Sequence, residues 1–388
     1  MTFSIEQMQR IAGFELNALR ASGVFGDEYD KVSIPRTGTS IYDMNGTLLF
    51  YRLPLKRGRT DVGYADIAAD EALGEPLLAT ATGATWDEKA LLEAGTAIAR
   101  KGRRGFKYDS VRFVAYSFPK IALQFLLSGK EVLMLELHTW AEVLPARSDS
   151  RKTFEPSNFE RWSVLDELPK EVRKSRLSSF KKRLKVWDIP ELREIDPRVV
   201  TKDILKLKDF VIKTSEAREV HYSARDTDHH PCYELRGQQT NVWCVAASVE
   251  MLLNFYRYSY DQVRLARELG LGTLTHPNGL PYSRDGDVVT VMENLTSNAL
   301  DVTMHNNPGW NVFYDEIRAN RPLISFIPGH SRTVAGYTRS LIHLINQVPF
   351  RGLLVYDPWP PNVGVITRWE NFATQTYRVA FTAVLRQI

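Results

Sequence analysis

The sequence predicts an α+β protein with two principal modules, and three observations support this class. Within residues 229–388, helical runs come first and strand-like runs follow, an order typical of an antiparallel α+β sheet. Near the N-terminus, Asn45-Gly46 supplies the positive φ angles of a tight hairpin turn between two alternating runs. The composition, 44% hydrophobic and 25% charged over 388 residues, is that of a globular protein long enough for two or three domains.

Residues 1–145 are predicted to form a separate α+β domain. After an opening amphipathic helix and the Asn45-Gly46 hairpin come two strand-like runs, "VGYADIAA" and "EPLLATAT". A helix is predicted at "WDEKALLEAGTAIARKG", and further strands at "SVRFVAYSF" and "KEVLMLELHTW". No reactive constellation is evident in this segment.

Residues 146–228 are predicted to form a charged helical connector. Its central part contains one acidic residue, Glu171, and eight basic ones: Lys170, Arg173, Lys174, Arg176, Lys181, Lys182, Arg183 and Lys185. Such a run is most often the solvated face of a helix. A processing site and a docking surface are the alternative interpretations.

Residues 229–388 are predicted to form a third unit of helices followed by strands. A helix begins near Trp243, a second covers "SYDQVRLARELG", and a third covers "WNVFYDEIRAN". Strands are predicted at "PLISFIP", "SRTVAGY", "RGLLVYDP" and "RVAFTAVLRQ".

The segment "RGQQTNVWCVAAS" contains Cys244, one of only two cysteines in the chain. An apolar helical run starts at or near this residue, with small residues that allow close packing. The free N–H groups and the positive dipole end of a helix stabilise an anion there, which lowers the pKa of a thiol. The pattern therefore predicts that Cys244 is a reactive nucleophile.

Three further residues complete a predicted acyl-transfer site. His330, one of eight histidines, lies between two strand-like runs and follows a flexible Gly329, so it is the best-placed base. Asp357 ends an apolar run and can hold the imidazole in the useful tautomer. The Cys244 backbone N–H and the Gln238 side-chain amide are the predicted oxyanion donors.

The order Gln, Cys, His, Asp in these contexts resembles the papain-like cysteine peptidases, in the branch of bacteriocin-processing "double-glycine" peptidases and a plant-pathogen effector protease. Those proteins show a glutamine six residues before the cysteine, a Gly-His strand like "GHSRTVAGY" and an Asp-Pro like "VYDPW". The resemblance covers about residues 232–388. It implies a papain-like domain in which an N-terminal helix carries Cys244 and an antiparallel sheet carries His330 and Asp357. It also implies peptide hydrolysis through a thioester, with a peptide or protein as substrate.

Two features depart from this pattern. The strand after His330, which is usually almost purely apolar, contains Ser331, Arg332 and Thr333. The stretch "TRSLIHLINQVPFRG" is longer than a tight hairpin needs.

The N-terminal module is similar to the propeptides of streptopain-type peptidases, through "SIYDMNGTLLFYRLPL" and the small-residue strands that follow. This likeness implies that residues 1–145 block the catalytic domain, as in a zymogen. Cleavage within residues 146–228 would then release it.

No cofactor or metal is predicted. "TDHHPCYE" places His229, His230 and Cys232 close together, but the spacing supplies no complete tetrahedral zinc site. A net charge of +4 does not indicate a nucleic-acid partner, and no apolar run is long enough for a membrane span. Two cysteines and no signal-peptide core favour the cytoplasm, with export by a specialised route as the alternative.

Two other functions fit the same residues. The first is an acyl or peptidyl transferase that uses the same triad and passes the acyl group to an amine. The second is a non-catalytic papain-like module that binds a peptide.

Overall fold

The computed structural model describes residues 3–83, 86–143, 161–221, 233–344 and 347–386. These ranges confirm the predicted α+β class. The helices are α1 Ile5–Ala21, α2 Glu88–Gly102, α3 Lys170–Val186, α4 Cys244–Phe255, α5 Gln262–Glu268, α6 Asp287–Leu295 and α7 Trp310–Arg318. The strands of the N-terminal part are β1 Val32–Ser33, β2 Thr39–Asp43, β3 Leu48–Arg57, β4 Thr60–Ala68, β5 Leu77–Thr82, β6 Ser110–Ser117, β7 Lys120–Leu127 and β8 Lys130–Glu136. The later strands are β9 Val199–Val200, β10 Val211–Glu219, β11 Leu300–Asn306, β12 Leu323–Ile327, β13 His330–His343, β14 Gln347–Asp357, β15 Val365–Asn371 and β16 Val379–Leu385.

One hydrogen-bonded sheet runs through both ends of the chain, in the order β11-β16-β12-β13-β14-β15-β5-β4-β3-β2-β6-β7-β8. The described pairs are antiparallel except for the parallel pair β2–β6. The N-terminal and C-terminal parts join where β15 pairs with β5, with Trp369 opposite Thr80 and Glu370 opposite Ala79. The domain boundaries predicted near residues 145 and 228 fall outside the described residues and stay predictions.

The connector contains the predicted helix, α3, but it also contributes two strands, the short β9 and the longer β10. β10 runs antiparallel to β13, from Val211 opposite His343 to Glu219 opposite Gly336. The sequence does not predict β10, because its side chains alternate between exposed and half-buried and carry many charges. The prediction that the basic residues of α3 form a solvated face does not hold for Arg176 and Arg183. Both are buried, with 7% and 6% of their surface exposed. The connector is therefore packed against both modules.

A buried ion pair ties α3 to α1. Arg183 Nε and Nη2 donate to the two carboxylate oxygens of Glu15 at 2.6 and 2.7 Å. Trp187 Nε1 donates to the same carboxylate at 2.6 Å. Because these donors satisfy a carboxylate that is only 1% exposed, the pair holds the first helix of the chain against the connector.

The helix α4 lies buried against β13 and β12. Ala246, Ala247 and Ser248 are fully buried, so the helix approaches the sheet closely. Ser331 Oγ on β13 donates to Ser248 Oγ at 2.9 Å. This packing fixes the N-terminus of α4 beside the start of β13.

The long stretch after the Gly-His motif extends the β13–β14 hairpin, whose register runs from Thr333 opposite Tyr356 to His343 opposite Gln347. The extra residues thus lengthen the pairing between β13 and β14, and β10 pairs with the other edge of β13. Within the described ranges, the helices are too short or too polar to cross a membrane.

Candidate active site

The first residue of α4 is Cys244, and Trp243 is its N-cap residue. Trp243 is fully buried and its indole N–H donates to Leu271 O at 3.0 Å, which fixes the entry of the helix. The Cys244 N–H belongs to the first turn, where backbone donors have no intrahelical acceptor. Cys244 is partly exposed and faces a small cleft of about 50 Å³, which His330 also lines.

The structure brings His330 and Asp357 into contact. His330 is the first residue of β13 and Asp357 the last of the adjacent β14. His330 Nε2 lies 2.6 Å from Asp357 Oδ1, and both residues are buried. His330 Nδ1 is buried and has no hydrogen bond of standard geometry to a described residue, so it is the nitrogen available to the Cys244 thiol.

The pKa shifts of Cys244 and His330 favour a thiolate on the first and an imidazolium on the second. Burial raises the pKa of the Cys244 thiol, but the His330 ring, the charge of Lys120 and the Ser331 backbone N–H outweigh it, so the pKa is lowered. Burial lowers the pKa of His330, but Asp357 and Cys244 outweigh it, so that pKa is raised. A lower thiol pKa and a higher imidazole pKa are the conditions for a thiolate–imidazolium pair.

Asp357 is held as a carboxylate. Burial raises its pKa, but His330, the charge of Arg332 and the Trp359 backbone N–H lower it below the ordinary value. The Trp359 N–H donates to Asp357 Oδ1 at 2.8 Å. The same oxygen thus accepts from the backbone and from His330, which fixes the orientation of the ring.

The unexpected polar residues after His330 each have a partner. Ser331 bonds to Ser248 on α4, as described above. Arg332 Nη2 donates to Glu370 Oε1 at 2.6 Å, in a pair of which both members are nearly fully buried. Thr333 Oγ1 lies 3.7 Å from the Met251 sulfur. The polar strand is therefore a network that links α4, β13 and β15.

Gln238 is fully buried, and its position is fixed by backbone bonds from its N–H to Pro358 O and from Asn362 N–H to its carbonyl. Its side-chain Nε2 donates to Thr240 O at 2.6 Å, and one amide proton remains. Asn241, three residues before Cys244, lines the cleft together with the cysteine. The spacing before Cys244 predicts Gln238 as the donor and does not point to Asn241.

Lys120 of the N-terminal module reaches the cleft and was also missed by sequence reasoning. It begins β7, pairs with Ser117 across the β6–β7 turn and lines the same cleft as Cys244. Only 6% of the residue is exposed, and Nζ lies 5.0 Å from the centre of the Trp359 ring. No local signal in the sequence marks this lysine, because sheet pairing brings it to the site.

Tyr282 also lines the cleft. Its hydroxyl accepts from the Gly329 N–H at 2.7 Å, next to His330. The Arg378 guanidinium lies 3.9 Å from the Tyr282 ring centre and pairs with Asp285. Tyr282 therefore connects the turn before His330 to a second set of charges.

In the part of the chain that the structure describes, no group of three or more His, Cys, Asp or Glu side chains could hold a metal ion. His229, His230 and Cys232, considered above for zinc, lie outside the described residues.

The comparisons with known proteins support the predicted class of protein in general terms. A family model described as the Peptidase_C39 like family matches residues 231–383, less than half of the chain. The matched segment contains Gln238, Cys244, His330 and Asp357. A search of curated proteins gave no match. The family match supports a peptidase-type domain of the papain-like group and, in general, a cysteine peptidase function.

Proposed function

We propose that the protein hydrolyses peptide bonds with Cys244 as nucleophile, His330 as base and acid, and Asp357 as the group that orients His330. One observation carries this proposal: the Cys244 thiol at a helix N-terminus shares a cleft with a buried imidazole, and the Nε2 atom of that ring is 2.6 Å from a carboxylate. These are the three roles that nucleophilic acyl transfer requires.

The reaction follows from these positions. The Cys244 thiolate attacks the peptide carbonyl carbon, and the resulting tetrahedral intermediate collapses as the C–N bond breaks. His330 gives its proton to the leaving amine, which leaves a thioester on Cys244. His330 then takes a proton from water as its oxygen attacks the thioester carbon. The C–S bond breaks, the acyl group leaves as a carboxylic acid, and the Cys244 thiolate and the His330 imidazolium are restored.

The developing oxyanion needs hydrogen-bond donors. The Cys244 N–H, at the first turn of α4, is the first of them. The remaining amide proton of Gln238 is the second in this proposal, since its side chain is buried and fixed close to the segment that leads into α4. Asn241 is a competing donor because it lines the cleft directly.

We also propose that the N-terminal module restricts access to the site. The cleft of about 50 Å³ has room for only a few atoms, and Lys120, at the end of the β6–β7 turn, is part of its lining. A peptide substrate therefore requires this turn to move, or to be released by cleavage in the connector. This arrangement supports the zymogen interpretation of residues 1–145.

Mass spectrometry of the full chain, incubated alone and with a mixture of peptides, tests both proposals. The wild type is expected to cleave peptides and, under the zymogen proposal, its own connector. Cys244→Ala is expected to do neither. Cys232→Ala, at the other cysteine of the sequence, is the matched control and retains activity.

The outcomes separate the alternatives. Full activity of the uncleaved chain rejects the zymogen proposal and leaves the peptidase proposal standing. New amide products in the presence of an added amine indicate a transferase. Peptide binding without turnover in both the wild type and Cys244→Ala indicates a non-catalytic module and contradicts hydrolysis.

A further inference from the structure

Arg176 on α3 is a buried cation. The residue is 7% exposed, and its guanidinium donates to the neutral Thr376 Oγ1 at 3.4 Å. Across the described ranges, the ion pairs do not include Arg176. Arg183, two turns later on the same helix, is equally buried and is paired with Glu15. A buried charge without a paired anion is costly, so an anion that reached Arg176 would be stabilised there.

Arg176 keeps its charge in this setting. Burial lowers the pKa of Arg176 to about 10, and the only opposing influence is Tyr377. The guanidinium therefore stays protonated at neutral pH. Its stem is held in place by close packing against Gly74, where a Cβ atom would approach the Arg176 Cγ to 2.9 Å.

The guanidinium lines a cavity of about 160 Å³ between the N-terminal module, the connector and the C-terminal part. Most of the wall is apolar: Leu49, Phe50, Leu73, Leu78, Phe118 and Trp162. Two carboxylates also line the cavity. Glu370 is taken by Arg332 and by the Tyr377 hydroxyl at 2.8 Å. Glu167 is exposed, and among the described residues it forms no ion pair with Arg176. The Arg176 guanidinium thus faces a mostly apolar space, and neither carboxylate of the described lining is paired with it.

We propose that this cavity binds a monocarboxylate with a compact apolar body, whose carboxylate pairs with Arg176. A cavity of about 150 Å³ is large enough to hold a benzene molecule, so a phenyl group or a short branched chain fits here. Apolar walls cannot replace the hydration of a sulfate or phosphate ion, whereas an arginine fork matches a carboxylate with two parallel hydrogen bonds. The ligand is either a free organic acid or the C-terminal apolar residue of a polypeptide.

This site is distinct from the peptidase cleft, although the two are neighbours. Phe118 lines the cavity and Lys120 lines the cleft, with Pro119 between them. Pro328 lines the cavity two residues before His330. The proposal does not depend on catalysis, and a Cys244→Ala chain can be used to test it.

Calorimetric titration with 3-phenylpropanoate and its uncharged amide tests the proposal directly. The acid is expected to bind roughly 10- to 100-fold more tightly than the amide, because a charge-assisted hydrogen bond is lost in the latter. A tetrapeptide ending in free phenylalanine and its C-terminally amidated form make up the second arm. Preference for the free peptide over the small acid identifies a polypeptide end as the source, and the reverse identifies a free organic acid.

Three variants complete the experiment. Arg176→Met is expected to remove the preference for acid over amide, Arg176→Lys to retain part of it, and the exposed Lys174→Met to leave it unchanged. Without ligand, Arg176→Met is expected to keep or raise the Tm, since it removes an unpaired buried charge. The proposal is overturned if no carboxylate binds the wild type, if acid and amide bind equally, if Arg176→Met binds the acid as the wild type does, or if that variant has a clearly lower Tm.

Discussion

The Nε2 atom of His330 lies 2.6 Å from the Oδ1 atom of Asp357, although 27 residues separate them in the chain. The contact arises because β13 begins and β14 ends at the same edge of one antiparallel hairpin. A carboxylate in this position holds the ring with Nδ1 free and stabilises the imidazolium. The hairpin therefore fixes the orientation of His330, the proposed base for the thiol at the start of α4.

Replacing Asp357 by asparagine should narrow the pH range of activity. The thiolate exists above the lowered pKa of Cys244 and the imidazolium below the raised pKa of His330, so activity rises and then falls as the pH increases. Asp357→Asn removes the main influence that raises the His330 pKa, and the basic limb should move to lower pH. A fall of about 10³- to 10⁴-fold in kcat/KM is also expected.

The pH profile of kcat/KM measures this effect for the free enzyme. An unchanged basic limb in Asp357→Asn would mean that the carboxylate does not control the imidazole. Asp196→Asn, an exposed carboxylate paired with Arg198 in the connector, is the matched control and should keep the wild-type profile.

Replacing Lys120 by methionine should make the thiol less acidic. The positive charge of Lys120 helps to lower the pKa of Cys244, and methionine keeps a similar length without the charge. The apparent thiol pKa, measured from the pH dependence of alkylation by iodoacetamide, should rise. The exposed Lys130→Met, in the same module, should leave it unchanged. Equal thiol pKa values in Lys120→Met and the wild type would show that Lys120 does not lower the pKa of Cys244.

The oxyanion donor can be assigned by comparing two amides. Gln238→Glu keeps the shape of the side chain but removes its donors, and should lower kcat by about 10²- to 10³-fold with little change in KM. Asn241→Ala should have a smaller effect on kcat. If steady-state kinetics show that Asn241→Ala lowers kcat more than Gln238→Glu does, Asn241 is the oxyanion donor.

Breaking the ion pair between α1 and α3 should destabilise the whole chain. Arg183→Met leaves the Glu15 carboxylate buried without its cation, which costs about 3–5 kcal/mol of unfolding free energy. The midpoint of urea unfolding should fall accordingly, and Arg183→Met combined with Glu15→Leu should recover much of the loss. The exposed Arg198→Ala should change the free energy by less than about 1 kcal/mol. An unaffected midpoint in Arg183→Met would show that the N-terminal helix is energetically independent of the connector.

Local sequence patterns predicted the secondary-structure elements that carry the candidate site. The helix that begins at Cys244 and the strands that carry His330 and Asp357 follow from hydrophobic periodicity and the residues that end each run. The order of these residues along the chain indicated that they share a site, but it could not supply the distances between them.

Features that depend on distant pairing could not be predicted in this way. Lys120 reaches the cleft through a turn of the N-terminal sheet, and β10 joins β13 although its sequence is highly charged. Arg176 was one of eight basic residues assigned to a solvated helix face, and only tertiary packing shows which of them are buried. In each case the environment of the side chain is set by residues far away in the sequence.

The rate of Cys244 alkylation by iodoacetamide as a function of pH, followed by mass spectrometry, tests the pairing of thiol and imidazole most directly. For the wild type, we expect reaction at mildly acidic pH, well below the ordinary thiol pKa of about 9. In His330→Gln this acidic reactivity should disappear. If the alkylation rate of Cys244 shows a single apparent pKa near 9 in both proteins, the thiol is not paired with the imidazole of His330.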